Sequence, residues 1–171
     1  MSNKLLPLVR SKPWLIPFLY YLPESAFSPS QLARELGTRT DYVKHCLRVA
    51  RRLNMVRQVG EGLYVASREE IEEVLRTLNI TKLKGAFVAD LGRRYVIVRA
   101  RKKYVKVIHV SKELVENVAI TLAQLKRARV SEIAERVGQV GREVYRALLV
   151  LRAYGRVVKQ GDYYMISDAR T

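Results

Sequence analysis

The chain has 171 residues, with 32 Lys and Arg against 16 Asp and Glu and a formal net charge of +16. A charge that large opposes compaction and favours polyanions, chiefly nucleic acid or an anionic membrane surface. Cys46 is the single cysteine, which excludes an intrachain disulfide and a cysteine-based zinc site and suits a reducing cytoplasm.

The excess charge is spread along the chain. Residues 1–66 hold 10 Lys and Arg against 4 Asp and Glu, residues 67–110 hold 11 against 5, and residues 111–171 hold 11 against 7. This is not a basic tail on a neutral body, and 49% hydrophobic residues supply a packed core. The apolar run at residues 14–22 lies near Pro7 and Pro13 and contains Pro17, and no small-residue cleavage site follows it, which reads against a signal peptide. No stretch approaches the roughly 18 apolar residues of a membrane helix, so no membrane partner is expected. Abundant Arg, Lys, Glu and Val with few Asn and Gln fit a thermophile.

Residues 14–22 read as a first buried helix that either starts near Pro17 or is kinked there, because proline lacks the N–H and crowds the preceding turn. Ser28-Pro29-Ser30-Gln31 reads as a capping box opening a short helix with Leu32, Ala33 and Leu36 inward and Gly37 closing it. Thr38 is the expected cap of the next helix, whose buried face is Val43, Cys46, Leu47, Ala50 and Leu53. Its opposite side carries Asp41, His45, Arg48 and Arg52, flanked by Lys44 and Arg51. Residues 55–59 and 63–65 read as strands around Gly60-Glu61-Gly62. Ser67 is expected to cap a further helix with Ile71, Val74, Leu75 and Leu78 on one face and glutamates at its start.

Residues 86–89, 95–100 and 104–110 are β-branched and aromatic runs separated by charged turns, and predict a three-stranded antiparallel meander. It carries Arg93, Arg94, Arg99, Arg101, Lys102, Lys103 and Lys106, with Tyr95 and Tyr104 interleaved. Basic groups with aromatics suit single-stranded nucleic acid, where bases stack on rings. A half-buried sheet whose charged turns keep its edges soluble accounts for the same residues.

Ser111 is the expected cap of a long amphipathic helix reaching about Arg127. A short helix from Val130 to Gly138, a turn, a longer helix burying Val144, Ala147, Leu148 and Leu151, and a hairpin around Gln160-Gly161-Asp162 complete the chain. The helix face opposite its core carries Arg142, Arg146, Leu149 and Ala153, with Val150 alongside. Leu149 and Val150 suggest a protein interface or homodimer seam, unless the flanking helix or the meander covers them.

Two stretches carry a resemblance. Gln31 to Gly37 with Thr38-Arg39-Thr40 and the exit Arg52-Leu53-Asn54-Met55-Val56, and Val130 to Gly138 with residues 143–148 and the exit Tyr154-Gly155-Arg156-Val157, resemble winged helix-turn-helix proteins, in the tandem basic form of archaeal transcription and replication factors. The resemblance implies two such domains, residues 1–66 and 111–171, in an α+β chain, and the amphipathic helix that Ser67 opens and the basic three-stranded meander, residues 67–110, join them. It implies that Arg39, Thr40, Lys44, His45 and Arg48 read base edges while Arg51, Arg52 and Arg57 hold phosphates. Arg142, Arg146 and Lys159 would make weaker contacts in the second domain.

The expected function is therefore a non-enzymatic double-stranded DNA-binding protein of the cytoplasm and nucleoid, acting as a transcriptional regulator or a replication or chromatin factor. The alternative is an RNA- or protein-binding accessory component of RNA polymerase or the ribosome. His45 and His109 are isolated, no glycine-rich phosphate loop or nucleophile elbow is present, and no metal, cofactor or catalytic residue is expected.

Overall fold

A computed structural model describes residues Asn3–Ser167, which form an α+β arrangement of eight α-helices and eight strands. In order these are α1 (Leu5–Ser11), a 3-10 turn (Pro13–Leu15), α2 (Ile16–Tyr21), α3 (Pro29–Leu36), α4 (Thr40–Arg52), β1 (Val56–Gly60), β2 (Leu63–Ala66) and α5 (Arg68–Thr77). Then come β3 (Thr81–Leu83), β4 (Ala86–Asp90), β5 (Arg94–Ala100), β6 (Val105–Ser111), α6 (Lys112–Leu125), α7 (Val130–Val137), α8 (Gly141–Ala153), β7 (Val157–Gln160) and β8 (Tyr163–Ile166). The chain forms two compact units. One holds the chain up to Ile80 with Lys84–Phe87 and Val98–Val107, and the other holds Thr81–Leu83, Val88–Ile97 and the chain from Ile108 onward.

In the first unit the N-terminal region has two helices rather than one. Pro17 lies at the first turn of α2, where its missing N–H costs no intrahelical bond, so it starts the helix and does not kink it. The unexpected α1 buries Leu5 and Val9, one turn apart. Ser28 caps α3, its Oγ accepting the Gln31 N–H at 3.2 Å. Gly37 adopts a left-handed φ of +72°, which lets the Thr38 N–H reach back to the Ala33 carbonyl and turns the chain into α4.

Thr38 does not cap α4. The helix begins one residue later than expected, Arg39 is its cap position, and the Thr38 hydroxyl is buried without a partner among the described residues. Nor does the Ser67 side chain cap α5. Its backbone N–H donates to the Met55 carbonyl, tying the hairpin's two ends together, while Glu69 and Glu70 still occupy the first turn. The β1–β2 hairpin contains a bulge between Gln58 and Gly60, and Phe27 exchanges two backbone bonds with Tyr64 along its other edge.

The second unit repeats this order. Ser111 caps α6 through the Leu114 N–H at 3.1 Å. The helix stops at Leu125, short of Arg127, because Lys126 turns to a φ of +68°. The Arg129 N–H donates to the Glu132 carboxylate at the start of α7, and Gly138 closes that helix at φ +77°. Both α3 and α7 have 8 residues, and both α4 and α8 have 13. Ala128 pairs with Tyr164 as Phe27 does with Tyr64, but β7 and β8 pair without a bulge.

The remaining sheet has strand order β3-β4-β5-β6. Neighbours joined by turns this short must run antiparallel, since a parallel pair needs a long crossover. It has four strands, not three. Three-residue β3, with Lys82 exposed between half-buried Thr81 and Leu83, was too short to show as a run in the sequence.

Candidate nucleic-acid interface

Helix α4 buries Val43, Cys46, Leu47 and Ala50 and leaves Lys44, His45, Arg48, Arg51 and Arg52 exposed. Burial pushes the Cys46 thiol up to about 12, so it is inert packing. Lys44, Arg48 and Arg51 follow one another at intervals of four and three residues, which stacks them on one helical stripe. With Pro29, Asp41, Leu47 and Tyr64 they line a groove of about 430 Å³ between the helix and the hairpin. Arg51 lies 5.7 Å from the centre of the Tyr64 ring, which links the helix to β2. None of Arg39, Lys44, Arg48, Arg51, Arg52 or Arg57 has an ion-pair partner among the described residues.

Other candidates on this unit lie outside that groove. Arg57 lines a smaller depression with Asn54, Met55, Val65, Ala66 and Ser67. Thr40 is half-buried at the first position of α4. His45 stacks on Trp14 with ring centres 4.8 Å apart and planes 15° apart, so one face of its imidazole is occupied. The Trp14 carbonyl also accepts the Tyr42 hydroxyl, whose pKa is raised by burial and then by neighbouring Cys46. The 3-10 turn thus braces the N-terminal half of α4, a contact that helical spacing within α4 cannot reveal.

In the second unit the corresponding helix is different. Leu149 and Val150 are 6% and 1% exposed, which corrects their reading as a surface seam. Helix α8 packs against α6, α7, β7 and β3, so these two residues are covered within their own unit, and a homodimer built on them loses its basis. Arg142 is exposed, but Arg146 is half-buried and paired with Glu143 at 3.0 Å. Lys159 is exposed with its Nζ 5.7 Å from the Tyr164 ring centre. Arg127 and Arg129 lie 4.0 and 4.8 Å from the centre of the Tyr163 ring.

The meander divides the same way. Arg93, Arg94, Arg101, Lys102, Lys103 and Lys106 are exposed and Arg99 is half-buried. Tyr95 is not open for stacking: Lys112 Nζ lies 4.4 Å from its ring centre and Tyr154 packs against it at 5.9 Å. Lys112 also pairs with Asp90 at 2.8 Å. Tyr104, by contrast, is 60% exposed. The pKa of His109 is lowered by burial and by the nearby Arg94.

Among the described residues no three His, Cys, Asp or Glu cluster as metal ligands, and no helix is long and apolar enough to cross a membrane. No family model matches the sequence, and no curated protein does. Among solved structures, the mRNA-binding domain of elongation factor SelB from E. coli, in complex with SECIS RNA, is similar over 93% of this chain and 97% of that one, at 12% identity and a TM-score of 0.28. That score is too low to carry a fold or a ligand from one chain to the other.

Proposed function

We propose that this is a non-enzymatic double-stranded DNA-binding protein with a winged helix-turn-helix in each unit, in which α4 enters the major groove. The observation that carries the reading is the stripe Lys44, Arg48 and Arg51, exposed, without carboxylate partners, and set in one groove with the hairpin residue Tyr64. A helix of this size fits the major groove, and residues in its N-terminal half reach base edges. Arg39, Lys44 and Arg48 take that role, with Thr40 and the open edge of His45 beside them. Arg51, Arg52 and Arg57 hold phosphates, which fixes the register of the helix without reading sequence. The second unit, with Arg146 tied to Glu143, contributes weakly through Arg142 and Lys159. The biological setting this suits is regulation of transcription, or a replication or chromatin factor.

The test is binding of labelled duplex DNA across a salt series, for the wild type and the double variant Arg48→Ala/Arg52→Ala. A duplex binder loses affinity linearly in log–log salt with a slope near −0.9 per phosphate neutralised. The variant is expected to bind about a hundredfold more weakly with a shallower slope, at unchanged thermal stability. Unchanged affinity and slope would remove α4 from the interface. Preference for structured RNA over duplex DNA in competition would overturn the DNA assignment.

A further inference from the structure

A helix in a groove leaves one basic element of the first unit without a task. The turn between β5 and β6 carries Arg101, Lys102, Lys103 and Tyr104, all exposed. A cleft of about 190 Å³ is lined by this turn on one side and by Thr38, Arg39, Asp41 and Tyr42 at the start of α4 on the other. All these residues belong to one compact unit. The Arg101 N–H donates to the Tyr104 carbonyl at 2.8 Å, which closes the turn and sets the tyrosine at its end. Unlike Tyr95, Tyr104 makes no ring or cation contact with any described residue, and its side chain stands open between cations. An open ring flanked by Lys and Arg is the arrangement on which an unpaired base stacks while its phosphates are neutralised. A paired base offers no such face, because its neighbours in the duplex cover it.

We infer that the first unit takes a DNA duplex that continues into a single strand. The inference rests on the assignment of α4 to the duplex. Helix α4 lies in the major groove of the paired segment. The unpaired strand passes the N-terminal end of α4 and crosses the β5–β6 turn. Arg101, Lys102 and Lys103 neutralise its phosphates, and one base stacks on Tyr104.

The experiment measures binding of the full chain to four labelled DNAs at one salt concentration: a blunt duplex, the same duplex with a single-stranded tail of roughly 8 nucleotides on the 5′ end, the same with that tail on the 3′ end, and the tail alone. The proteins are the wild type, Tyr104→Ala and Tyr104→Phe, each checked for an unchanged melting temperature. The wild type should bind one tailed duplex about tenfold more tightly than the blunt one. Tyr104→Ala should remove most of that difference, Tyr104→Phe should keep it, and all three proteins should bind the blunt duplex alike. Equal wild-type affinity for blunt and tailed duplexes overturns the inference and leaves the duplex assignment standing. So does a Tyr104→Ala loss that is the same on both. Tail alone binding as tightly as tailed duplex, with no binding to the blunt one, overturns the assignment of α4 itself.

Discussion

Helices α4 and α8 have the same length, follow the same left-handed glycine and lead into the same kind of hairpin, yet they present opposite surfaces. Counted from the first residue of each helix, Arg48 and Leu149 occupy the same position. One is exposed and cationic, while the other is 6% exposed and packed. The turn before them differs too, with Arg39 preceding α4 and Val140 preceding α8. A repeated backbone therefore does not imply a repeated surface. What decides the surface is how many neighbours the helix has. Helix α8 is covered on several sides and has become largely apolar, whereas α4 buries one face and keeps its other side for cations.

Exchanging the two residues is the strongest way to break this comparison. Leu149→Arg places an unpaired charge in a packed site and should cost about 3 kcal/mol, lowering Tm by about 10 °C. The reciprocal Arg48→Leu should change stability by no more than about 0.5 kcal/mol while weakening duplex binding at least tenfold. A calorimetric scan and a binding isotherm on each variant check both halves. If Leu149→Arg were neutral for stability, the covered face of α8 would be misassigned.

A smaller effect separates backbone from surface. Gly37 and Gly138 both sit at positive φ with open space where a Cβ would project. Alanine at either position should cost roughly 1–2 kcal/mol through backbone conformation alone. Denaturant melts should give similar values for the two variants, since the turns match even though the surfaces do not.

The mildest expected effect tests the proposal that the Arg146–Glu143 pair keeps the second unit's contribution small. Glu143→Ala releases Arg146, and duplex affinity should rise by about two- to threefold at low salt, with a stability change within about 1 kcal/mol. No rise in affinity would mean that Arg146 faces away from any bound DNA.

Much of this contrast was legible in the sequence, and the reasons for the rest are physical. Closing glycines and helical spacing placed α3, α4, α7 and α8, because each has a periodic apolar face and a residue that can leave the helix. The exposed stripe of α4 followed from the same spacing. Helix α1 escaped notice because Pro7 and Pro13 suggested breaks, although Pro7 lies in a first turn that tolerates it. Thr38 fails as a cap because α4 starts one residue later than the pattern implies, whereas Ser67 does hold the cap position of α5 and only its side-chain bond is missing. For Leu149 and Val150 a helical wheel leaves both an interface and cover by neighbouring elements open, because it sees one helix alone; the structure has the cover. The stacking of Trp14 on His45 and the packing of Tyr95 on Tyr154 join residues distant in sequence, so no local pattern announces them.

The Tyr163 ring, with Arg127 and Arg129 both against it, bears on what a net charge of +16 means in the test tube. On a cation-exchange column those two arginines count as fully as Arg48 does. A guanidinium stacked on a ring keeps its charge and its in-plane N–H donors, so in a counterion-release measurement with a polyanion the two arginines count only if phosphates reach that edge. The column reads every exposed cation, whereas the salt slope reads only those set against phosphates, and the first number should exceed the second.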